Sequence, residues 1–307
     1  RVWHGLCHDD DARMAPVNFT HFDGYEQGPS TLTKYKPGDS IPGLNIGCWH
    51  DAGDFDLRIE SQSGEFYTLS LAYEAFNVDY DVTTIDQDKR ITEIHQPDGK
   101  NDILQQIEHG VLSVVGGYQA LGRLYRGIIC NDLRQYVLLG DSSTMTDGIK
   151  GNADDRWVFT ENNPPRELTT AAHLAAASRA LQGFNDTLSA QALQAASEIF
   201  KVTDGSGHAR LAKIHAAVEL FLTTGKEEYK NFLLSEVELI VDSIDKVGWF
   251  TARAEKAMND ANFTKKFHSA LPALKQQFDQ QSAETPYGIP YRPHIWGAGW
   301  GIQRMGY

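Results

Sequence analysis

Two helical stretches with almost nothing between them set the strongest limit on how this chain folds. Residues 166–183 read as an Ala-rich helix and residues 189–202 as another, joined through Phe184-Asn185-Asp186 by a link of five residues. So short a connection makes the pair an antiparallel hairpin packed side by side. The arrangement recurs at 207–223 and 227–244, across Thr224-Gly225-Lys226. Upstream, Asn101 or Asp102 caps a strong helix whose stripe is Ile103, Leu104, Ile107, Val111, Leu112, Val115, Tyr118, Leu121 and Leu124. Gly116-Gly117 weakens that helix and suits close packing. Phe66, Leu69, Tyr73 and Phe76 predict a further helix from about Ser63, and 253–281 is helical in part. Residues 1–46, 79–101, 140–166 and 285–307 carry no period and read as loops, the first with room for short strands, and long loops in a compact protein are usually functional. No strand run, fixed repeat or composition break stands out, so the expectation is one all-α domain over 1–307, built from helical hairpins.

Charge narrows the partners. The net charge is −13 over 307 residues, which argues against nucleic acid and anionic membrane and fits a neutral ligand. No apolar run is long enough to insert across a bilayer. Aromatics are 10% of the chain, enough for stacking on sugar rings, although core packing accounts for most of them. The three cysteines, Cys7, Cys48 and Cys130, are an odd number and imply no complete disulfide framework.

The chemistry concentrates in Gly47-Cys48-Trp49-His50-Asp51-Ala52-Gly53-Asp54. Two acids three residues apart, around a small Ala-Gly turn, fit either of two roles. One is capping of the helix that follows. The other is a carboxylate pair in which one acid holds a water and the other takes its proton. The Trp49-His50 prefix favours the second, since a cap needs neither residue. Cys7, His8, Cys48 and His50 combine sulfur and imidazole as tetrahedral zinc does, though the two pairs lie far apart in sequence. A Cys7–Cys48 disulfide, or free thiols beside a hydrogen-bonded histidine, fits the same residues. Asp141, Asp147, Asn152, Asp154 and Asp155 offer oxygen ligands of the kind calcium takes, without EF-hand spacing, and a solvated charged loop has the same composition.

Trp49-His50-Asp51-Ala52-Gly53-Asp54 resembles the signature of glycoside hydrolase family 9, the inverting cellulases and related β-glucanases. Trp3-His4 with Cys7-His8, residues 223–229, and Trp296-Gly297-Ala298-Gly299-Trp300 resemble further segments of the subgroup whose catalytic domain follows an immunoglobulin-like module. The resemblance is close over 47–58 and loose elsewhere. It implies an (α/α)6 barrel, incomplete in this chain, acting on β-1,4-linked glucan with inversion and needing no cofactor for chemistry. Asp54 takes the place of the general base and Asp51 that of the acid that helps position the water. Trp49, His50, Phe55, Tyr67, Trp296 and Trp300 become candidates for substrate contact, with Arg58 and His294 for hydroxyl groups. The subgroup carries a structural zinc whose ligands match Cys7, His8 and His50, with Cys48 standing for a cysteine further upstream. Family calcium sits at a Gly-rich turn comparable to 204–210, which here lacks the acidic pair that should follow. The family's general acid, a Glu near the end of a longer domain, has no matching segment, and Glu161 and Glu284 are the nearest substitutes. A polymeric glucan substrate implies a secreted, periplasmic or cell-surface protein. Rival expectations are an inactive glycan-gripping barrel, an exo-acting β-glucosidase or glucosaminidase on the same fold, and a protein-binding scaffold that uses the acids as caps.

Overall fold

The computed structural model describes residues 2–3, 8, 11–51, 55–86, 88–89, 91–131, 149–152 and 154–290. The chain divides into two compact units, Arg1–Gly205 and Ser206–Tyr307.

The described helices of the first unit are α1 (Ile59–Phe76), α2 (Asp102–Leu121), α3 (Pro164–Leu181) and α4 (Asp186–Val202). α3 and α4 form the expected hairpin, and α1 packs on both α2 and α3. Asparagine caps fix three of the starts. Asn101 accepts from the N–H groups of Ile103 and Leu104, Asn163 from Arg166 and Asn185 from Leu188, each satisfying donors that a helix N-terminus leaves open. Asp102, the other candidate cap on α2, instead accepts from Val82 and Thr83. Pro164 occupies the first turn of α3, where its missing N–H costs nothing. α1 begins four residues before the expected Ser63, because Ile59 is buried while Gln62 and Ser63 are polar and buried too, which hides the stripe.

Short strands beyond residue 46 are where the structure departs from the sequence expectation; those within 1–46 fit it. The strands are β1 (Val2–Trp3), β2 (Arg13–Met14), β3 (Leu57–Arg58), β4 (Thr83–Asp86), β5 (Ile91–Ile94), β6 (Gly127–Ile129) and β7 (Trp157–Val158). Strands of two to four residues are too short to show alternation. One sheet has the order β1-β5-β4 and the other β2-β7-β6-β3. In the second, β2 runs parallel to β7, while β6 is antiparallel to both neighbours. β3 runs directly into α1 and β7 shortly precedes α3, so this sheet lies where those two helices begin. Ala15, Ile129 and Phe159 pack together as a fully buried cluster, flanked by Phe19, Tyr25 and Trp157.

The second unit carries α5 (Arg210–Thr224), α6 (Glu227–Ser235), α7 (Val237–Asp242), α8 (Ile244–Met258) and α9 (Ala261–Glu284) among its described residues. The helix expected over 227–244 breaks at Glu236 and Ser243, which leave helical backbone angles. Glu236 is drawn into an ion pair with Arg210. Its core stacks His215 on Phe250 at 4.3 Å and pairs the buried Glu219 with Arg253.

Candidate active site

The loop leading into the signature is laid along α2, and small residues let it lie close. A side chain at Gly116 would run into the carbonyl of Gly43, and one at Gly47 into the carbonyl of His109. Backbone and side-chain bonds then fasten the loop. Ser113 donates to the Leu44 carbonyl at 2.6 Å, Cys48 N–H to the His109 carbonyl at 3.1 Å, and His109 Nε2 bonds the Cys48 carbonyl at 2.7 Å. Gly117 clears space for Tyr125 rather than for the loop. The close packing suggested by Gly116-Gly117 is thus present, with each glycine facing a different neighbour.

Trp49 is placed by two amides. Its N–H donates to Gln62 at 2.7 Å while Gln62 donates back to the Trp49 carbonyl at 2.6 Å. The indole N–H reaches Gln106 at 3.1 Å. His50 stands edge-on to Phe55, ring centres 4.8 Å apart. Cys48 and Phe55 bracket the signature with positive φ angles of 70° and 55°. Such angles strain a residue with a side chain, by roughly 1–2 kcal/mol, and tend to occur where function over-determines the backbone.

Asp51 closes the turn against Asp56: the two form an antiparallel bridge, with Asp51 N–H donating to the Asp56 carbonyl at 2.9 Å. Asp56 is itself pinned. Its fully buried carboxylate accepts from Cys130 N–H at 2.6 Å and pairs with Arg58 at 2.9 Å, which also pairs with Asp23. Burial opposes the Arg58 charge, but the carboxylates of Asp56 and Asp23 outweigh it and hold the guanidinium more firmly protonated than usual. Arg58 is thus committed to two acids. Ser61 donates to the Asp51 carboxylate at 3.0 Å. Asp51, Trp49 and His50 share a pocket of about 280 Å³ with Ser61, Gln62, Glu65, Leu69 and Gln106. Ser61, Glu65 and Leu69 follow one another at intervals of four, one face of α1, and that spacing was the available sequence signal for them.

The other expected site residues are distributed as follows. Asp54, Cys7, Trp296, Trp300 and His294 lie outside the described residues. Tyr67 is 4% exposed and stacks on His173 at 4.4 Å, inside the α1–α3 contact rather than in the pocket lining. Glu161 is held by Arg126 and Arg166 at 2.7 and 2.9 Å. Glu284 is exposed at the end of α9 in the second unit. Asp141 and Asp147 are outside the described residues. Asp155 is buried against Arg13 and the Gly151 N–H rather than presented to a cation, and 207–209 is a single 3-10 turn.

Of the proposed zinc ligands, His8 and His50 come together, ring centres 5.0 Å apart. His8 Nδ1 bonds the Asp11 carboxylate at 2.6 Å, and its buried Nε2 has no hydrogen-bond partner among the described residues. A carboxylate on one ring nitrogen and an open second nitrogen is how metal-binding histidines are usually dressed. Burial of Asp11 works against its charge, but His8 and Arg156 overcome it and lower its pKa. Cys48 is a free thiol among the described residues, and Cys7, its partner in the disulfide alternative, lies outside them. Cys48 faces the Gly110 carbonyl at 3.8 Å, and burial pushes its pKa up to about 12. No three His, Cys, Asp or Glu side chains gather at metal-holding distance among the described residues, so Cys48 is not brought to the two histidines.

Comparison with known proteins agrees with this architecture. No curated protein matches the sequence significantly. Among solved structures, a metagenome-derived glycoside hydrolase family 9 endoglucanase superposes with a TM-score of 0.65 at 18% identity, covering 99% of this chain and 55% of its own. A single mutant (D468A) of a thermostable endoglucanase from Alicyclobacillus acidocaldarius gives 0.66 at 18%, covering 98% and 55%. An endoglucanase from the termite Nasutitermes takasagoensis gives 0.59 at 14%, covering 98% and 67%. The chain therefore spans little more than half the length of the first of these. Identities this low speak for the fold, which is the expected all-α fold of (α/α)6 type. The sequence model of Glycosyl hydrolase family 9 matches residues 2–303, and with that the chain belongs to this family.

Proposed function

We propose that this chain carries the water-activating half of an inverting β-1,4-glucan hydrolase. The observation that carries the reading is the setting of Asp51. Its carboxylate is oriented by Ser61, its backbone is locked to Asp56, and it opens on a pocket shared with Trp49 and His50. In this reading Asp51 holds a water by hydrogen bonding and Asp54 removes its proton as the oxygen bonds to the anomeric carbon. The bond from that carbon to the departing sugar oxygen breaks, and that oxygen takes a proton from a carboxylic acid roughly 6.5–9.5 Å from the base, the separation that leaves room for the water. Glu161 is tied to two arginines and does not line the pocket that holds Asp51. By the family resemblance the donor is a Glu without a counterpart in residues 1–307. Trp49 offers an indole edge and face to a pyranose ring.

Zinc bound by His8 and His50, with Cys7, would tie the loop before the signature to the signature itself, a structural contribution. Polymeric β-glucan lies outside cells, so the site of action is extracellular, periplasmic or at the cell surface. No described helix is long and apolar enough to cross a membrane.

The test is hydrolysis of a β-1,4-glucan oligosaccharide followed by NMR of the released anomers. The α-anomer should appear first, and Asp54→Ala should abolish release. The β-anomer appearing first would overturn inversion. Activity surviving in Asp54→Ala above about one part in a hundred would overturn the base assignment, since a general base contributes roughly 10²–10⁴-fold.

A further inference from the structure

We propose that the groove beside β2 and β7 of the four-stranded sheet is a second glycan-binding site, in which a neutral hexose unit stacks on Trp157 and hydrogen-bonds to Arg13. The choice of glycan as ligand rests on the hydrolase reading; the groove itself does not. It encloses about 540 Å³ beside β2 and β7, separate from the pocket that contains Asp51. Pockets of a few hundred Å³ or more are the size that small ligands occupy.

Its two walls differ in chemistry. One is apolar and half-buried: Trp157, Phe19 and Pro16. Phe19 stands edge-on to Trp157 with ring centres 4.9 Å apart, which braces the indole. The other wall is polar, with Arg13, Asn131 and Asn152. Arg13 is set in place before any ligand arrives. Its Nε pairs at 3.2 Å with Asp155, a carboxylate only 1% exposed, and the same carboxylate accepts from Gly151 N–H at 2.5 Å. Gly38 and Gly151, both at positive φ, flank Nη2, and a Cβ on either would reach to about van der Waals contact with it. The Nη groups make no hydrogen bond to protein among the described residues, which leaves a fork of donors in a fixed direction.

An apolar ring on one side and planar donors on the other match the two faces of a pyranose: its C–H face packs on the indole and its equatorial hydroxyls meet the donors. A neutral sugar is favoured over an anionic one. Asp155 already balances the Arg13 charge, and the −13 net charge repels anions. The catalytic loop precedes β3 at the other edge of this sheet, three strand spacings or roughly 14 Å away. A glucan bound here is therefore held near the loop without occupying its pocket.

Calorimetric titration of cellotetraose into the Asp54→Asn protein, where nothing is cleaved, tests this. Two sites are expected, falling to one in Asn152→Trp, whose bulk on an exposed loop residue fills the groove. Arg13→Lys keeps the charge but loses the fork, and should weaken the second site about tenfold, the worth of a lost hydrogen bond. Thermal unfolding of both variants confirms that they fold, and Arg13→Lys carries the test if Asn152→Trp does not. An unchanged isotherm in the variants overturns the proposal, as does binding only of a glucuronic-acid oligomer; a single site in the parent that both variants leave intact counts the same way. Hydrolysis by the Asp54 protein reports separately on the active-site reading, and either can fail while the other stands.

Discussion

Gly110 of α2 lies beneath the indole of Trp49, with space there for hydrogen and nothing larger. A Cβ at residue 110 would stand 2.7 Å from two ring carbons and 3.1 Å from Phe66. Gly110→Ala should therefore push Trp49 from its place and cost about 1–3 kcal/mol, as overpacking in a filled core does. Urea unfolding measures the stability. A raised KM on cello-oligosaccharides would follow from a displaced Trp49, and an unchanged KM would separate the indole from substrate binding.

Ser61→Ala removes one hydrogen bond to the Asp51 carboxylate from a part-buried site. Stability should fall by no more than about 1 kcal/mol, since solvent can replace the donor. Turnover should fall about tenfold or more, because Asp51 loses the contact that orients it. Ser61→Thr restores the hydroxyl and should recover most of the rate. A rate unaffected by Ser61→Ala would mean that the Asp51–Asp56 bridge alone sets the carboxylate.

His21 makes stability depend on pH in a defined direction. Its Nε2 donates to the Cys130 carbonyl at 2.7 Å, and its Nδ1 accepts from Asp23 N–H at 3.1 Å. That arrangement requires the neutral ring, and burial, the largest influence, lowers its pKa below the ordinary 6.5. The unfolded chain then binds the proton more readily than the folded one. The contribution of His21 is present above about pH 6.5 and is lost as pH falls below it toward the folded pKa. Chemical unfolding midpoints between pH 7.5 and 5 should drop, and His21→Gln should flatten that part of the profile. A steeper profile in the variant would contradict this sign.

Cys48 should be inert in the folded protein. Its thiol is buried against the Gly110 carbonyl, and with a pKa pushed up to about 12 it stays protonated at pH 8. Iodoacetamide with mass spectrometry should leave Cys48 unmodified in buffer and alkylate it in guanidinium. Modification under native conditions would show that the loop opens from α2.

The parts of the fold that follow period and capping were legible in the sequence. Asn101, Phe184-Asn185-Asp186 and the stripe of α2 each state a local preference that the structure keeps. The short strands were not, because a pair such as Leu57–Arg58 is a strand only by virtue of Ile128 and Gly127 opposite it. At the site, the signature gave Trp49, His50 and Asp51, which do share a pocket. It could not give Asp56, whose importance comes from Cys130 and Arg58 reaching it. Nor could it give the stacking of Tyr67 on His173, a residue of α3 more than a hundred positions away.

The docking of residues 43–48 on α2 divides labour between main chain and side chains. Carbonyls and amides at Leu44 and Cys48 make the attachments, and the glycines at 47 and 116 let the ribbon come near enough to make them. The course of the loop is therefore written as much in α2 as in the loop: Ser113 and His109 receive it, and a lineage that keeps those positions and the small residues keeps the path that delivers the signature.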